Sequence, residues 1–408
     1  MRVLHIVKTS DGARWAALQA QVLAQLGIKV HVALPSPVGD AVRLWQKAGA
    51  SIHIQDCALG VNHPWAFRSR AHSIRQLVAS VQPDLIHSHF VTTTMMLRLS
   101  LGRDFAIPRL FQVPGPLHME HPFYRTAEIA TAGKNDYWIA SSRYTRDLYL
   151  RRNISARRVF LSYYGMDMNK FPGGSASSLR RRLGISDDDI VIGNINYMYP
   201  PKYYLGHRRG LKRHEDVIDA LGIVCRTRPH VVGALLRGQW GSGKTYEQRL
   251  VKRATRAAGV RIRFAGPVNS SNVADLWSDF DIAVHVPISE NCGGVVEPLA
   301  KGVPTIASWI GGLPEVVMEG LTGRLVPPDN PEVLAQVILD TLAHLSVARQ
   351  HAQVGRLLVR KMFDVNRTGK EIAEIYQSVL NSSWPPPAAF DSRRFVAELQ
   401  HGQGLRSD

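Results

Sequence analysis

The sequence predicts an α/β protein built from two doubly wound, Rossmann-like domains, and three observations lead to that prediction. With 408 residues the chain exceeds what one hydrophobic core fills. Short apolar runs alternate with stretches whose apolar residues recur at helical spacing, the pattern of βαβ units in a parallel sheet. The loops after those runs carry Gly, His, Lys and Glu at the carboxyl ends of strands, where open α/β sheets bind ligands.

Composition narrows the class. Hydrophobic residues make up 45% and charged ones 20%, an ordinary globular balance. The three cysteines, Cys57, Cys225 and Cys292, match no metal or disulfide spacing, which fits a reducing cytoplasm and excludes zinc-finger and iron–sulfur patterns. The start, MRVLHIV, is too short in apolar residues for a signal peptide, and no run reaches the eighteen or so needed to span a bilayer. The formal charge of +17 is uneven: residues 1–170 hold 21 Lys and Arg against 10 Asp and Glu, a net of +11, which leaves +6 for the rest. Such a face serves solubility, or attracts an anionic membrane or a lipid-diphosphate acceptor. No zinc-finger, RRM or helix-turn-helix pattern accompanies it, so no nucleic-acid partner is expected.

In chain order, residues 2–7 (RVLHIV) read as a strand that enters a loop with Gly12 and then a helix, and residues 31–35 (HVALP) as the next strand. The loop lacks G-x-G-x-x-G, so no dinucleotide is inferred. Further strands fall at 51–55 and at 85–87 within PDLIHSHF. His87 and His89 alternate on that strand end and so point the same way, but no third ligand is evident, and lining of a cleft is the expected role. A strand at 109–113 precedes PGPLHMEHPFYR, where a histidine either bonds a loop carbonyl or enters a site. DYWIASSRYTRDLYL reads as strand then helix, capped by Ser141 or Ser142. The arginines 143, 146, 151, 152, 157 and 158 that follow read as a solvated face.

The Gly/Ser stretch 173–178 has hinge composition. The strand 190–195 leads through an aromatic, basic loop to a helix from Lys212 onward, and basic groups there suit a diphosphate leaving group. Residues 238–245 satisfy G-x-x-x-x-G-K-[ST] after an apolar stretch and before a helix, so a P-loop NTPase or kinase using Gly238–Thr245 is the alternative. Its mid-chain place, Trp240 in the loop and the lack of a Walker B strand downstream speak against it. A helix capped near Ser270 or Ser271 then leads to residues 281–317, DIAVHVPISENCGGVVEPLAKGVPTIASWIGGLPEVV. Here a strand, a Gly loop between Glu290 and Glu297, a short helix, a second strand and a turn into another helix at Pro314 follow one another. Helix starts after Gly293-Gly294 and at Pro314 suit a phosphate. Two carboxylates suit hydroxyl groups, and the combination points to a nucleotide sugar. Expected boundaries are 1–165 and 166–380, with a loosely ordered tail at 381–408.

The run S-E-N-C-G-G-V-V-E-P-L-A-K-G-V-P-T-I-A-S resembles the donor-site signature of the glycosyltransferase family 4 (GT-B) enzymes. PDLIHSHF is similar to the family's PDVVHAH. VFLSYYGMDMNKF resembles its V-x-x-x-x-N-G-V-D-x-x-x-F, with Tyr164 where asparagine is usual. L-K-R-H-E-D-V-I-D-A resembles K-G-H-x-x-x-I-x-A, with Arg213 replacing the glycine. The resemblance implies a GT-B fold, two Rossmann-like domains facing a central cleft, with the acceptor bound mainly by the first and the nucleotide sugar by the second. It also implies hexosyl transfer with retention, without metal or cofactor. Carried over residue by residue, Glu290 lies at the donor sugar and Glu297 at the ribose, with six residues between them where seven are commoner. Lys212 and either Arg208 or Arg209, with Lys202 third, offset the diphosphate charge. Gly12, Gly293, Gly294 and Val295 border the donor, and His118, with His121 second, is the cleft histidine. The expected enzyme is a transferase, cytoplasmic or peripheral at the inner face of the membrane, that serves a glycan or lipid-linked acceptor in surface polysaccharide or glycolipid synthesis.

Overall fold

The computed structural model describes residues 1–60, 64–171, 179–238, 243–268, 273–383 and 385–404. They form two compact units, each with an all-parallel sheet. The first unit comprises Met1–Asp167 and Met362–Phe390. Its strands are β1 (Arg2–Ile6), β2 (Lys29–Leu34), β3 (Ser51–Ile54), β4 (Leu85–His89), β5 (Arg109–Val113), β6 (Asp136–Ala140) and β7 (Val159–Leu161), ordered β3-β2-β1-β4-β5-β6-β7. Period-two alternation divides its core. Val3 and Leu85 join the helix Arg14–Gln25 and Trp45 on one face, and Leu4, Ile6 and Ile86 join Ile74, Leu77 and Met96 on the other.

The second unit comprises Met168–Lys361 and the segment from Asp391. Strands β8 (Ile190–Asn196), β9 (Val231–Gly238), β10 (Ile262–Val268), β11 (Ile282–His285), β12 (Thr305–Ser308) and β13 (Arg324–Val326) run β10-β9-β8-β11-β12-β13. The chain reverses its direction across the sheet between β8 and β11, as it does between β1 and β4 in the first unit. In open α/β sheets such turning points, beyond the strand ends, are where ligands bind.

The described elements depart from expectation in several places. The helix Val365–Leu380, assigned by sequence to the second domain, belongs to the first unit. Ile372, Ala373, Ile375, Tyr376 and Val379 bury themselves against the helix Arg14–Gln25, and Gly369 permits the approach, since a Cβ there would lie 2.6 Å from Val22. The tail is not loose throughout: Ser392–Gly404 is helical, with Val396 buried. The Gly-Gly-Leu-Pro-Glu turn leads to a single 3₁₀ turn, Leu313–Glu315, and to no further helix. There the Thr322 hydroxyl takes the Met318 N–H and donates to the Val316 carbonyl, diverting groups that a helix would need. Ser142, whose side chain accepts from the Thr145 N–H, caps the helix Arg143–Leu150. The hinge-like stretch 173–178, Ser270 and Ser271, and residues 239–242 of the P-loop pattern lie outside the described residues. No helix among the described residues is long and apolar enough to cross a membrane.

Candidate active site

Charged and polar groups of the second unit gather at the turning point of its sheet. Leu211 accepts a backbone hydrogen bond from Ile288, which sets Lys212 beside the loop after β11. The Lys212 ammonium pairs with Oε2 of Glu290, both side chains about 15% exposed. His285, at the end of β11, places Nε2 3.1 Å from the same oxygen, and Asn196, at the end of β8, places Nδ2 2.8 Å from His285 Nδ1. This last bond bridges the two strands of the turning point.

The protons in this chain can be assigned. Asn196 Oδ1 accepts the Tyr197 N–H, so its amide nitrogen faces His285 and donates to Nδ1. Burial holds the His285 imidazole below its ordinary value, so the ring is neutral and carries its proton on Nε2, which donates to Glu290. Burial opposes ionisation of Glu290 itself, but Lys212 and His285 outweigh it and hold the carboxyl well below the usual carboxylate range. The result is a fixed carboxylate with one paired ammonium.

Backbone packing keeps this loop in place. Gly311 sits at φ 57°, and a Cβ there would fall 1.9 Å from the Glu290 carbonyl oxygen. Ser308 Oγ donates to the Pro287 carbonyl, and Cys292 Sγ donates to that of Gly312. Gly294 lies against His285: a Cβ would come within 2.1 Å of Nε2 and drive the ring from Glu290. Gly293–Val295 form a 3₁₀ turn into a helix of five residues, Val296–Ala300. So short a helix has little macrodipole, which corrects the weight that the sequence reading gave to it. Glu297, in its first turn, is half-buried and accepts a 3.4 Å hydrogen bond from the buried Trp277 indole.

Two buried groups beside this node have no hydrogen-bond partner among the described residues: the Asn291 side-chain amide and both ring nitrogens of His214. Orphaned polar atoms of this kind mark places where a ligand or water completes the bonding. Trp309 and Tyr197, exposed just after β12 and β8, offer aromatic faces at the same strand ends. Sequence reasoning missed His285, Asn196, His214 and these aromatics. A histidine at the strand end was visible in HVPISE, but its partners depend on which strands lie side by side.

Each of the other expected residues has its own surroundings. Arg209 is ion-paired with Asp216, and Arg208 lines a cavity of about 360 Å³ with Tyr246, Arg249, Lys252, Arg253 and Arg256. Arg213, standing where the resembled run has glycine, adopts φ 52° and pairs with Asp329 at 2.9 Å. That left-handed backbone is the reason a glycine suits the position. In the first unit, Gly12 donates its N–H to Thr9 Oγ1 in the loop after β1. His118 is buried rather than lining a surface: Nε2 lies 3.0 Å from the Tyr149 hydroxyl, and the ring also bonds the Gly115 backbone. Burial lowers its pKa despite nearby Glu128. His121 is half-buried at the start of the next helix. His87 and His89 are buried too, which corrects the lining role expected of them. Around the P-loop pattern, β8 (IVIGNIN) and β10 (IRFAGPV), the strands that flank β9, carry no acid to bind a magnesium ion.

Comparison with known proteins decides the family. The model described as Glycosyltransferase Family 4 matches residues 12–170, and that described as Glycosyl transferases group 1 matches residues 186–354. The chain belongs to the family 4 glycosyltransferases. A D-inositol 3-phosphate glycosyltransferase of Streptomyces avermitilis is 25% identical over 335 residues, 76% of this chain and 69% of that protein. One from Geodermatophilus obscurus is 31% identical over 51% of this chain and 46% of its own length, and those from Streptomyces scabiei, Streptomyces coelicolor, Mycobacterium leprae and a Nocardioides species are likewise matched over less than half of theirs. Anabaena HepE, solved with UDP-glucose, superposes with a TM-score of 0.76 at 20% identity, over 93% of this chain and all of that one. Sucrose-phosphate synthase of Thermosynechococcus elongatus gives 0.72 at 20% identity, over 94% of this chain and all of that one. With two parallel α/β units, the fold of this glycosyltransferase is GT-B.

Proposed function

We propose that this transferase moves a hexosyl group from a nucleotide sugar to a glycan or lipid-linked acceptor, with retention and without a metal in the reaction. The observation that carries the reading is the Lys212–Glu290 pair at the β8–β11 turning point. On donor binding Lys212 exchanges Glu290 for the diphosphate and offsets the negative charge that builds as it departs. Backbone N–H groups of Gly293–Val295 add donors on that side. Glu290, released from Lys212 but still held by His285, accepts hydrogen bonds from the sugar hydroxyls, and Glu297 takes the ribose. HepE, a structural neighbour, was solved with UDP-glucose, so uridine nucleotides are the first donors to try. Synthesis of a surface polysaccharide or glycolipid at the inner face of the membrane is the setting we assign.

A thermal-shift screen of nucleoside diphosphates and nucleotide sugars tests this. A ligand at 100 times its Kd stabilises the fold by about 2.7 kcal/mol. The shift should survive Lys244→Ala and shrink in Glu297→Ala. A response to ATP alone, abolished by Lys244→Ala and untouched by Lys212→Ala and Glu297→Ala, would replace the transferase site with the P-loop reading.

A further inference from the structure

The first unit holds a histidine cluster that the transfer reaction does not use. Register pairs His5 of β1 with His87 of β4, and His89, two residues on, returns to the same face. The ring centroids lie 4.3 Å (His87–His89), 4.9 Å (His5–His87) and 5.3 Å (His5–His89) apart, and all three rings are buried. One nitrogen of each lies within 4.8 Å of those of the other two.

The cluster's own hydrogen bonds do not close. His89 Nε2 and His5 Nδ1 are 3.0 Å apart, His5 Nε2 and the Tyr376 hydroxyl 3.5 Å, and that hydroxyl and His87 Nδ1 2.6 Å. Protons can run along this chain either way, each neutral ring holding one. Both directions leave His87 Nε2 and His89 Nδ1, one a donor and the other an acceptor, without a partner in the interior. An unmet buried polar atom is costly, so His87 Nε2, aimed at its two neighbouring imidazoles, calls for something to bind there, while His89 Nδ1 stays unmet either way.

We propose that His5, His87 and His89 hold a divalent first-row ion of the zinc type, with Tyr376 as the outer acceptor that orients the ligand rings. His5 Nδ1 and His89 Nε2 already stand near the ~3.3 Å that separates two donors bound at ~2.0–2.1 Å in a tetrahedral site. His87 Nε2, left over because Nδ1 faces Tyr376, is the third donor. With those nitrogens on the ion, His87 Nδ1–H and His5 Nε2–H both donate to the Tyr376 oxygen, the outer-shell arrangement that metal-bound histidines favour. Water or hydroxide takes the fourth position. All three rings are buried, and the neutral imidazole is the form that binds a metal. Carboxylates are absent from the set, which favours zinc over magnesium or calcium. The ion would tie the returning helix Val365–Leu380 to the sheet through Tyr376, a structural role independent of sugar transfer.

The test uses the full chain, dialysed against a chelator and then titrated with Zn²⁺ and, as a spectroscopic probe, Co²⁺. We expect one ion per chain, a higher thermal midpoint with metal than without, and a tetrahedral Co²⁺ spectrum. His89→Gln should abolish uptake and Tyr376→Phe should weaken it about tenfold. Absence of stoichiometric uptake by the unaltered chain overturns the proposal, as does uptake that both variants leave unchanged. If His89→Gln does not fold, X-ray absorption of the zinc-loaded unaltered chain decides: imidazole nitrogen ligands uphold the site, and their absence overturns it.

Discussion

The two sheets reverse at equivalent places, and the contents of those places are opposite in kind. At β1–β4 the turning point is filled with neutral imidazoles, Tyr376 and Trp45, closed over by a helix that arrives from the far end of the chain. At β8–β11 it carries a fixed carboxylate, an ammonium and orphaned polar atoms. One topology therefore yields a sealed core where a returning helix covers it and a charged, partly exposed node where loops follow the strands. Charge follows solvent, because a buried imidazole gives up its proton while a carboxylate beside Lys212 keeps its charge.

The largest effect that tests this contrast is Lys212→Ala. Removing one group that offsets leaving-group charge should lower kcat by 10²–10³-fold, about 2.7–4 kcal/mol, with a smaller change in KM. Glu297→Ala should do the reverse and mainly raise the KM for the nucleotide sugar. Steady-state kinetics with the donor found by thermal shift measures both. Small, equal effects would mean that the crevice is not the donor site.

Next in size is Glu290→Gln, which should lower stability at pH 7 by about 1–3 kcal/mol, less than for a fully buried pair because the side chains are partly exposed. The sign with pH follows from the depressed carboxyl. Its contribution is full above the unfolded value near 4.3 and is lost as pH falls from there toward the lower folded value. Denaturant titrations of both proteins should thus converge below about pH 4, and a gap that widens on acidification would contradict the assigned pairing.

How much of this was legible in the sequence depends on what a residue's role depends on. Strand and helix order follow from local periodicity, and Lys212, Glu290 and Glu297 stood out because each lies in a recognisable run. His5, His285 and Asn196 were invisible as site residues, because their partners are set by parallel register between segments some 80 to 90 residues apart. His118 shows the converse limit. A histidine after a strand matches a pattern, but whether it faces solvent or Tyr149 is decided by packing. The helix Val365–Leu380 reads like any amphipathic helix, and which unit it covers is not written in its own residues.

A smaller effect concerns Arg213, whose left-handed backbone costs about 1–2 kcal/mol for a residue with a Cβ. Arg213→Gly relieves that strain but loses the Asp329 pair and adds unfolded-state entropy of about 0.5–1 kcal/mol, so stability should stay within about 1 kcal/mol of the original. Arg213→Val keeps the strain, loses the pair and should destabilise by about 1–2 kcal/mol. Equal losses from both in chemical denaturation would show that the ion pair, not the backbone, matters there.

The smallest expected effect separates the two halves by surface charge. Arg98 and Arg109 are buried against Glu128 and Asp136, two charges of each sign, so the excess of +11 in residues 1–170 stays with the remaining groups. Arg143, Arg146 and Arg158 donate to backbone carbonyls, and Arg143, Arg151, Arg152 and Arg157 are exposed, as are Trp65 and Phe123. Docking of this half on an anionic membrane would draw roughly 1 kcal/mol from each such arginine, so Arg152→Ala should weaken vesicle binding only about fivefold. The exposed aromatics add insertion that salt does not screen. Sedimentation with anionic and neutral liposomes at low and high salt is the measurement: binding should need anionic lipid and fall as the Debye length shrinks from about 30 Å at 0.01 M to about 8 Å at 0.15 M. Equal binding to neutral vesicles, or none to either, would leave the charge a matter of solubility.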